Sequence, residues 1–125
     1  MSITSISGRK FYNGVAITAT TTYAYNASSA TTATAGIRQS RADVVNLQFC
    51  VATLTATNLY IRVEGRTAGI DRWASVYVED ITAVNTLDKV IEISERFTEL
   101  RMGAKVNNNA TPNVLYAGLL LTDYK

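Results

Sequence analysis

The chain has 125 residues, a single cysteine, no histidine and a formal net charge of +2. Apolar residues make up 47% and charged ones 18%, so the surface is either rich in hydroxyls and amides or covered by neighbouring subunits. These totals exclude an intrachain disulfide and a zinc site, and the dispersed Lys and Arg residues form no basic stripe for nucleic acid.

The length suits one domain with a core of its own. MSITSISGRKF at the N-terminus lacks an apolar core of signal-peptide length, and no segment is long and apolar enough to span a bilayer. Assembly in a cytosol with no membrane partner is expected. Residues 1–13 read as an arm or a first edge strand, leaving 14–125 as the folded domain. Within GVAITATTTYAYNASSATTATAG, residues 14–36, strand formers predict one strand near Val15–Thr20 and an extended piece near Thr22–Tyr25. A mobile loop is expected around Ala27–Gly36.

Alternation follows. Val45, Leu47, Phe49 and Val51 alternate with Asn46, Gln48 and Cys50, the period of two of a half-buried strand. Cys50 sits in this apolar run and reads as a buried structural thiol. Leu59, Ile61 and Val63 alternate with Tyr60, Arg62 and Glu64. In RWASVYVEDI, Val76 and Val78 form one face, and Ser75, Tyr77 and Glu79 the other. Thr86–Phe97 admits a helical reading through Leu87, Val90, Ile91 and Ile93, but its β-branched content favours a strand and a turn. Leu100, Met102, Ala104 and Val106 alternate with Arg101, Gly103 and Lys105. The sole proline, Pro112, precedes the last strand, where no ladder hydrogen bond is lost.

That last strand, NVLYAGLLLTDY, breaks the pattern. Leu115, Ala117, Leu119 and Leu121 form one apolar face, but Val114, Tyr116 and Leu120 make the other apolar too. A strand apolar on both faces is either covered by its own chain or part of a subunit contact. Short strands at regular spacing predict an all-β, single-domain antiparallel sandwich of jelly-roll type.

No constellation for chemistry emerges. Glu79 and Asp80 are neighbours on a strand and point to opposite faces, and Glu95 and Glu99 meet only on a helix. Asp71 and Asp80 lack calcium-loop spacing. Gly65, Gly69 and Gly103 are isolated, so no phosphate-cradling loop is present. The expectation is a chain with no catalytic residue, no metal and no cofactor. Asn26-Ala27-Ser28 and Asn109-Ala110-Thr111 match the glycosylation sequon and, without a secretory signal, read as chance.

The aromatics carry the remaining information. Trp73, Tyr60 and Tyr77 are candidate ligand-facing rings of a carbohydrate-binding sandwich. The competing reading makes Trp73 a plug at one end of the core. Tyr23, Tyr25, Val114, Tyr116 and Leu120 are candidate interface residues, with Tyr116 and Leu120 as anchors.

One order of features has a counterpart elsewhere. A strand through Ile61-Arg62-Val63-Glu64-Gly65 leads by a short loop to Asp71-Arg72-Trp73 and a strand carrying Val76-Tyr77-Val78. Then come Glu99–Gly103, a polar Asn/Thr-rich turn and the apolar terminal strand. Across residues 40–122 this resembles the small β-sandwich modules of tailed-phage virion proteins, among them capsid decoration, head-auxiliary, neck and tail components. The resemblance implies a structural protein of the virion, assembled in the host cytoplasm. It also implies partnership with identical copies and with a capsid or portal, neck and tail scaffold. A trimer or ring is expected on grounds of symmetry alone. Closed symmetry is the usual way for identical sandwiches to cover apolar surface.

Overall fold

The computed structural model describes residues 2–25, 37–38, 42–67, 70, 72–84, 88–95 and 97–124. These carry nine strands and no helix: β1 (Ile3–Ala16), β2 (Ala24–Tyr25), β3 (Ile37–Arg38), β4 (Val44–Leu54), β5 (Leu59–Arg66), β6 (Ala74–Ile81), β7 (Lys89–Glu92), β8 (Glu99–Val106) and β9 (Asn113–Tyr124). The first sheet has the order β1-β9-β4-β7. In the second, β2 and β3 share one flank of β8, with β5 and then β6 on the other. Every pairing is antiparallel, and the pairs nest: β1 with β9, β2 and β3 with β8, β4 with β7, β5 with β6. This is the winding of a jelly roll, the fold class expected from the strand pattern.

Period-two alternation fills the space between the sheets. Val45, Leu47, Phe49 and Val51 of β4 and Leu115, Ala117 and Leu119 of β9 are buried on the inner face of the first sheet. Leu59, Ile61 and Val63 of β5 and Leu100, Met102, Ala104 and Val106 of β8 face them from the second. Each large side chain so buried contributes about 1.5–3 kcal/mol. On β1 a bulge separates Lys10, opposite Gly118, from Tyr12, opposite Ala117. The extra residue lets two consecutive side chains, Phe11 and Tyr12, both be buried. The Tyr12 hydroxyl donates to the carbonyl of Ala24, tying the two sheets together, and lies 3.1 Å from that of Met102.

The N-terminal residues form an edge strand, β1, along the whole of β9. The strand expected over Val15–Thr20 ends instead at Ala16, because the chain there leaves the first sheet for the second. The Ile17 N–H donates to the Asn113 carbonyl and the Val106 N–H to the Ala19 carbonyl. The loop expected at Ala27–Gly36 lies outside the described residues. In the segment with a helical alternative, β7 pairs with β4 and Ile93 continues the contact by donating to the Val45 carbonyl.

One facing is inverted. A bulge between Val63 and Glu64 leaves Val76 as the extra residue, so Val78 pairs with Arg62 on the outer face and is 56% exposed. Tyr77 packs against the core instead, and its hydroxyl donates to Glu79, which also pairs with Lys89 of β7. Alternation read from sequence cannot anticipate a bulge, which shifts every later side chain of β6 to the other face.

A single side chain closes one end of the sandwich. Asn113, fully buried at the start of β9, accepts hydrogen bonds from the N–H groups of Thr55 and Ala56 and donates to the carbonyls of Ile17 and Ala110. It thereby joins three chain crossings. Replacing Asn113 by Ala strands these backbone groups away from water and is expected to lower stability by about 2–4 kcal/mol, read by urea denaturation.

Candidate functional site

The two sheets finish their outer faces in different ways. On the first, strand β9 presents Val114, half-buried, Tyr116, 45% exposed, and Leu120, 39% exposed. Cross-strand pairing extends this row: Ile3 opposes Tyr124, Ile6 opposes Thr122, and Val90 of β7 opposes Gln48 of β4. Nine large apolar side chains stay exposed among the described residues, and six share this face: Ile3, Ile6, Val90, Tyr116, Leu120 and Tyr124. Monomeric proteins rarely leave such side chains gathered on one sheet.

The middle of the face is notched. Gly118 stands between Tyr116 and Leu120, with Lys10 of β1 on one side and Gln48 of β4 on the other. A Cβ at Gly118 would lie 2.7 Å from the Arg9 carbonyl oxygen, so only glycine admits β1 here. The notch opens a depression of about 430 Å³ reaching from Lys10 to Asp88. Gln48 donates to the Asp88 carboxylate at its far side. Gly14, with φ +69°, turns β1 closely past the Tyr116 ring.

Cys50 lies opposite Tyr116 on this same face and is half-buried, not within the core as its apolar run suggested. Burial, and secondarily the Asp88 carboxylate, pushes its thiol pKa up. The thiol form therefore predominates at neutral pH.

The outer face of the second sheet is closed by its own side chains. Glu64 of β5 is 5% exposed and takes a 2.9 Å hydrogen bond from Arg101 Nε, its register partner on β8, with Arg62 at 3.5 Å. Arg101 in turn lies over the rings of Tyr25, at 3.8 Å, and Trp73, at 4.3 Å. Arg66 covers Trp73 at 4.7 Å while pairing with Glu99 at 2.9 Å. Lys105 sits over Tyr23 and Tyr60, and Arg62 over Tyr23. Gly103 makes the arrangement possible, since a Cβ there would lie 2.7 Å from the Tyr25 ring and 2.8 Å from Tyr23 Cβ. Cations and rings thus satisfy one another.

The expected site residues are therefore distributed as follows. Val114, Tyr116 and Leu120 lie together on the first outer face. Tyr23 and Tyr25 lie on the second, within the cation–aromatic stack. Trp73 and Tyr60 share that second face, but Trp73 adjoins Arg66 and Arg101 while Tyr60 adjoins Lys105, six residues earlier along β5. Tyr77 is on the opposite side of the sheet. Trp73 does not belong to the buried core cluster, so it is no plug. Glu64 was the residue that sequence reasoning passed over. Its outward place on β5 was legible; its pairing with Arg101 depends on a register set between distant strands.

Among the described residues no three His, Cys, Asp or Glu side chains gather to hold a metal ion. Asp80 receives a hydrogen bond from Asn58 Nδ2, and Asp71 lies outside the described residues. Compared with known proteins, the chain matches no family model and no curated sequence.

Two outcomes are expected. Glu64→Gln leaves Arg101 and Arg62 without their anion and lowers stability by about 2–3 kcal/mol in urea denaturation, less than for a fully buried pair because Arg62 keeps contact with water. The phenol of Tyr25 is raised above its ordinary value of about 10 by burial and then by Glu64, and that of Tyr77 by burial and then by Glu79. Both contributions are fully present below pH 10 and are lost as pH rises toward the folded-state values. Tyr25→Phe should flatten the alkaline fall in stability, measured as unfolding free energy against pH.

Proposed function

We propose that this chain is a structural subunit of a virus particle, of tailed-phage type, acting by multi-copy assembly and carrying no chemistry of its own. The observation that carries the reading is the row of six exposed apolar side chains on the outer face of the first sheet. A jelly roll that stood alone in water would set polar groups there; on the second sheet, by contrast, the outer rings are covered by cations of the same chain. Tyr116 and Leu120, near the centre of the face, are the anchors of the contact. The virion setting draws support from the jelly-roll winding, which recurs in viral capsid proteins, and from the resemblance of residues 40–122 to phage particle modules. Capsid decoration, head-auxiliary and neck positions all suit a subunit that contributes area and no reaction.

A glycan-binding module is the second reading. It is favoured by the placing of Trp73 and Tyr60 on one outer face. Against it, Arg66 and Arg101 already cover Trp73, and sugars stack on open rings.

Tyr116→Asp combined with Leu120→Asp should fold, since both side chains are partly in water, yet reduce incorporation into particles at least tenfold. Quantitative mass spectrometry of purified particles measures this. Hundreds of wild-type copies per particle indicate the capsid lattice, and about a dozen the portal, neck or tail axis. Absence of the chain from particles, together with quenching of Trp73 fluorescence by soluble oligosaccharides, would replace the assembly reading with the glycan-binding one.

A further inference from the structure

The charges around the apolar face of the first sheet are divided by edge. Along β1 the cation on this face is Lys10. Across the sheet, beside and within β7, stand Asp88 and Glu92, all three exposed. Arg9, opposite Leu119, and Lys89, opposite Phe49 and paired with Glu79, belong by register to the other side of the sheet. The strand registers arrange the face in rows. One row crosses the sheet as Lys10, Gly118, Gln48 and Val90. The next holds Gly8, Leu120, Asn46 and Glu92, and on the other side Asn13, Tyr116 and Cys50 follow. A cationic edge, a middle in which Tyr116 and Leu120 of β9 stand beside Cys50, Gln48 and Asn46 of β4, and an anionic edge thus lie in order over four strands.

Such a pattern is complementary to itself under only one of the two simple face-to-face symmetries. A two-fold axis running across the strands would set β1 over β1 and bring Lys10 against Lys10. An axis running along the strands, between β9 and β4, sets β1 over the second copy's β7 and β9 over its β4. Lys10 then comes down over Val90 of the second copy, between Asp88 and Glu92, and the same contact repeats on the other side of the axis. Gln48 of each copy enters the notch above Gly118 of the other. Tyr116 covers Cys50, and Leu120 lies over Asn46. Isologous contacts of this kind are the commonest closed symmetry. Two twisted sheets packed face to face about 10 Å apart, with strands within about 30° of alignment, accommodate it.

We propose that the outer face of the first sheet binds a second copy of this chain, across a two-fold axis parallel to its strands, with Lys10 of each copy set against Asp88 and Glu92 of the other. The occupant is a second copy because the face supplies both halves of the charge pattern, Lys10 on one edge and, across the sheet on either side of its row, Asp88 and Glu92 on the other. This deepens the assembly reading and rests on it, since it names what covers the apolar row.

The test is oligomeric state of the full chain by sedimentation velocity across a micromolar concentration series. The wild type should form dimers. Lys10→Glu should weaken self-association about tenfold or more, since two symmetry-related contacts each change from attraction to repulsion. The pair Asp88→Lys with Glu92→Lys should do the same. Mixing the two variants should restore association as a heterodimer, because both of its contacts then join opposite charges. The rate of Cys50 alkylation supplies a second reading, falling as wild-type concentration rises and Tyr116 of the other copy covers the thiol.

Three results would overturn the proposal: a wild-type chain that stays monomeric throughout, mixed variants that fail to associate, or a Lys10→Glu chain that pairs with wild type more tightly than wild type with itself. The last would indicate β1 over β1. If the chain is monomeric but Tyr116→Asp with Leu120→Asp still prevents incorporation into particles, the assembly reading stands and a different protein covers the face. If that double variant incorporates normally, the assembly reading itself fails at this face.

Discussion

The arrangement depends on one strand. β9 is hydrogen-bonded along one side to β1, the first strand of the chain, and along the other to β4. Without it the first sheet would fall into a lone edge strand and a β4–β7 ribbon, and half of the core would lose its wall. Nesting makes this unavoidable: the first strand pairs with the last, and every inner pair closes within that outer one. Such pairings span nearly the whole sequence, so loop-closure entropy must be met before the inner face returns its burial energy. Asn113, at the point where β9 begins, fastens the crossings that the winding requires.

Two glycines adapt the sandwich to what lies on its outer surfaces. Gly103 in the middle of β8 clears space for Tyr23 and Tyr25, which bring β2 onto the sheet and become rings for Arg101, Lys105 and Arg62 to cover. The buried Glu64 supplies the anion that holds Arg101 and Arg62 in place. Gly118 in the middle of β9 clears space for the backbone of β1 and leaves a depression on the outer face lined by Lys10, Gln48, Tyr116 and Leu120. One face is therefore completed by its own side chains. The other presents apolar surface, a hollow and separated charges.

Much of this is visible in the bare chain. The alternation of Val45 to Val51, of Leu59 to Val63 and of Leu100 to Val106 reports strands with one buried face, because a pleated backbone sends successive side chains to opposite sides. The second apolar face of β9 was equally plain in Val114, Tyr116 and Leu120. The facing of Tyr77 and Val78 was not, because a single extra residue, Val76, reverses it. Cys50 reads as a core residue by its neighbours and lies on the outer face by its register.

By itself, then, the sequence determined the class of the fold, the inner rows of the core and the apolar excess of the last strand, since each is a local property of a backbone with period two. The tertiary structure decided which strands are neighbours, and with that everything made across strands: Glu64 beneath Arg101, Trp73 beneath two guanidinium groups, Lys10 in line with Gly118, Gln48 and Val90. Those relations belong to register, which is set by the packing of residues far apart in the chain and leaves no mark on any one segment.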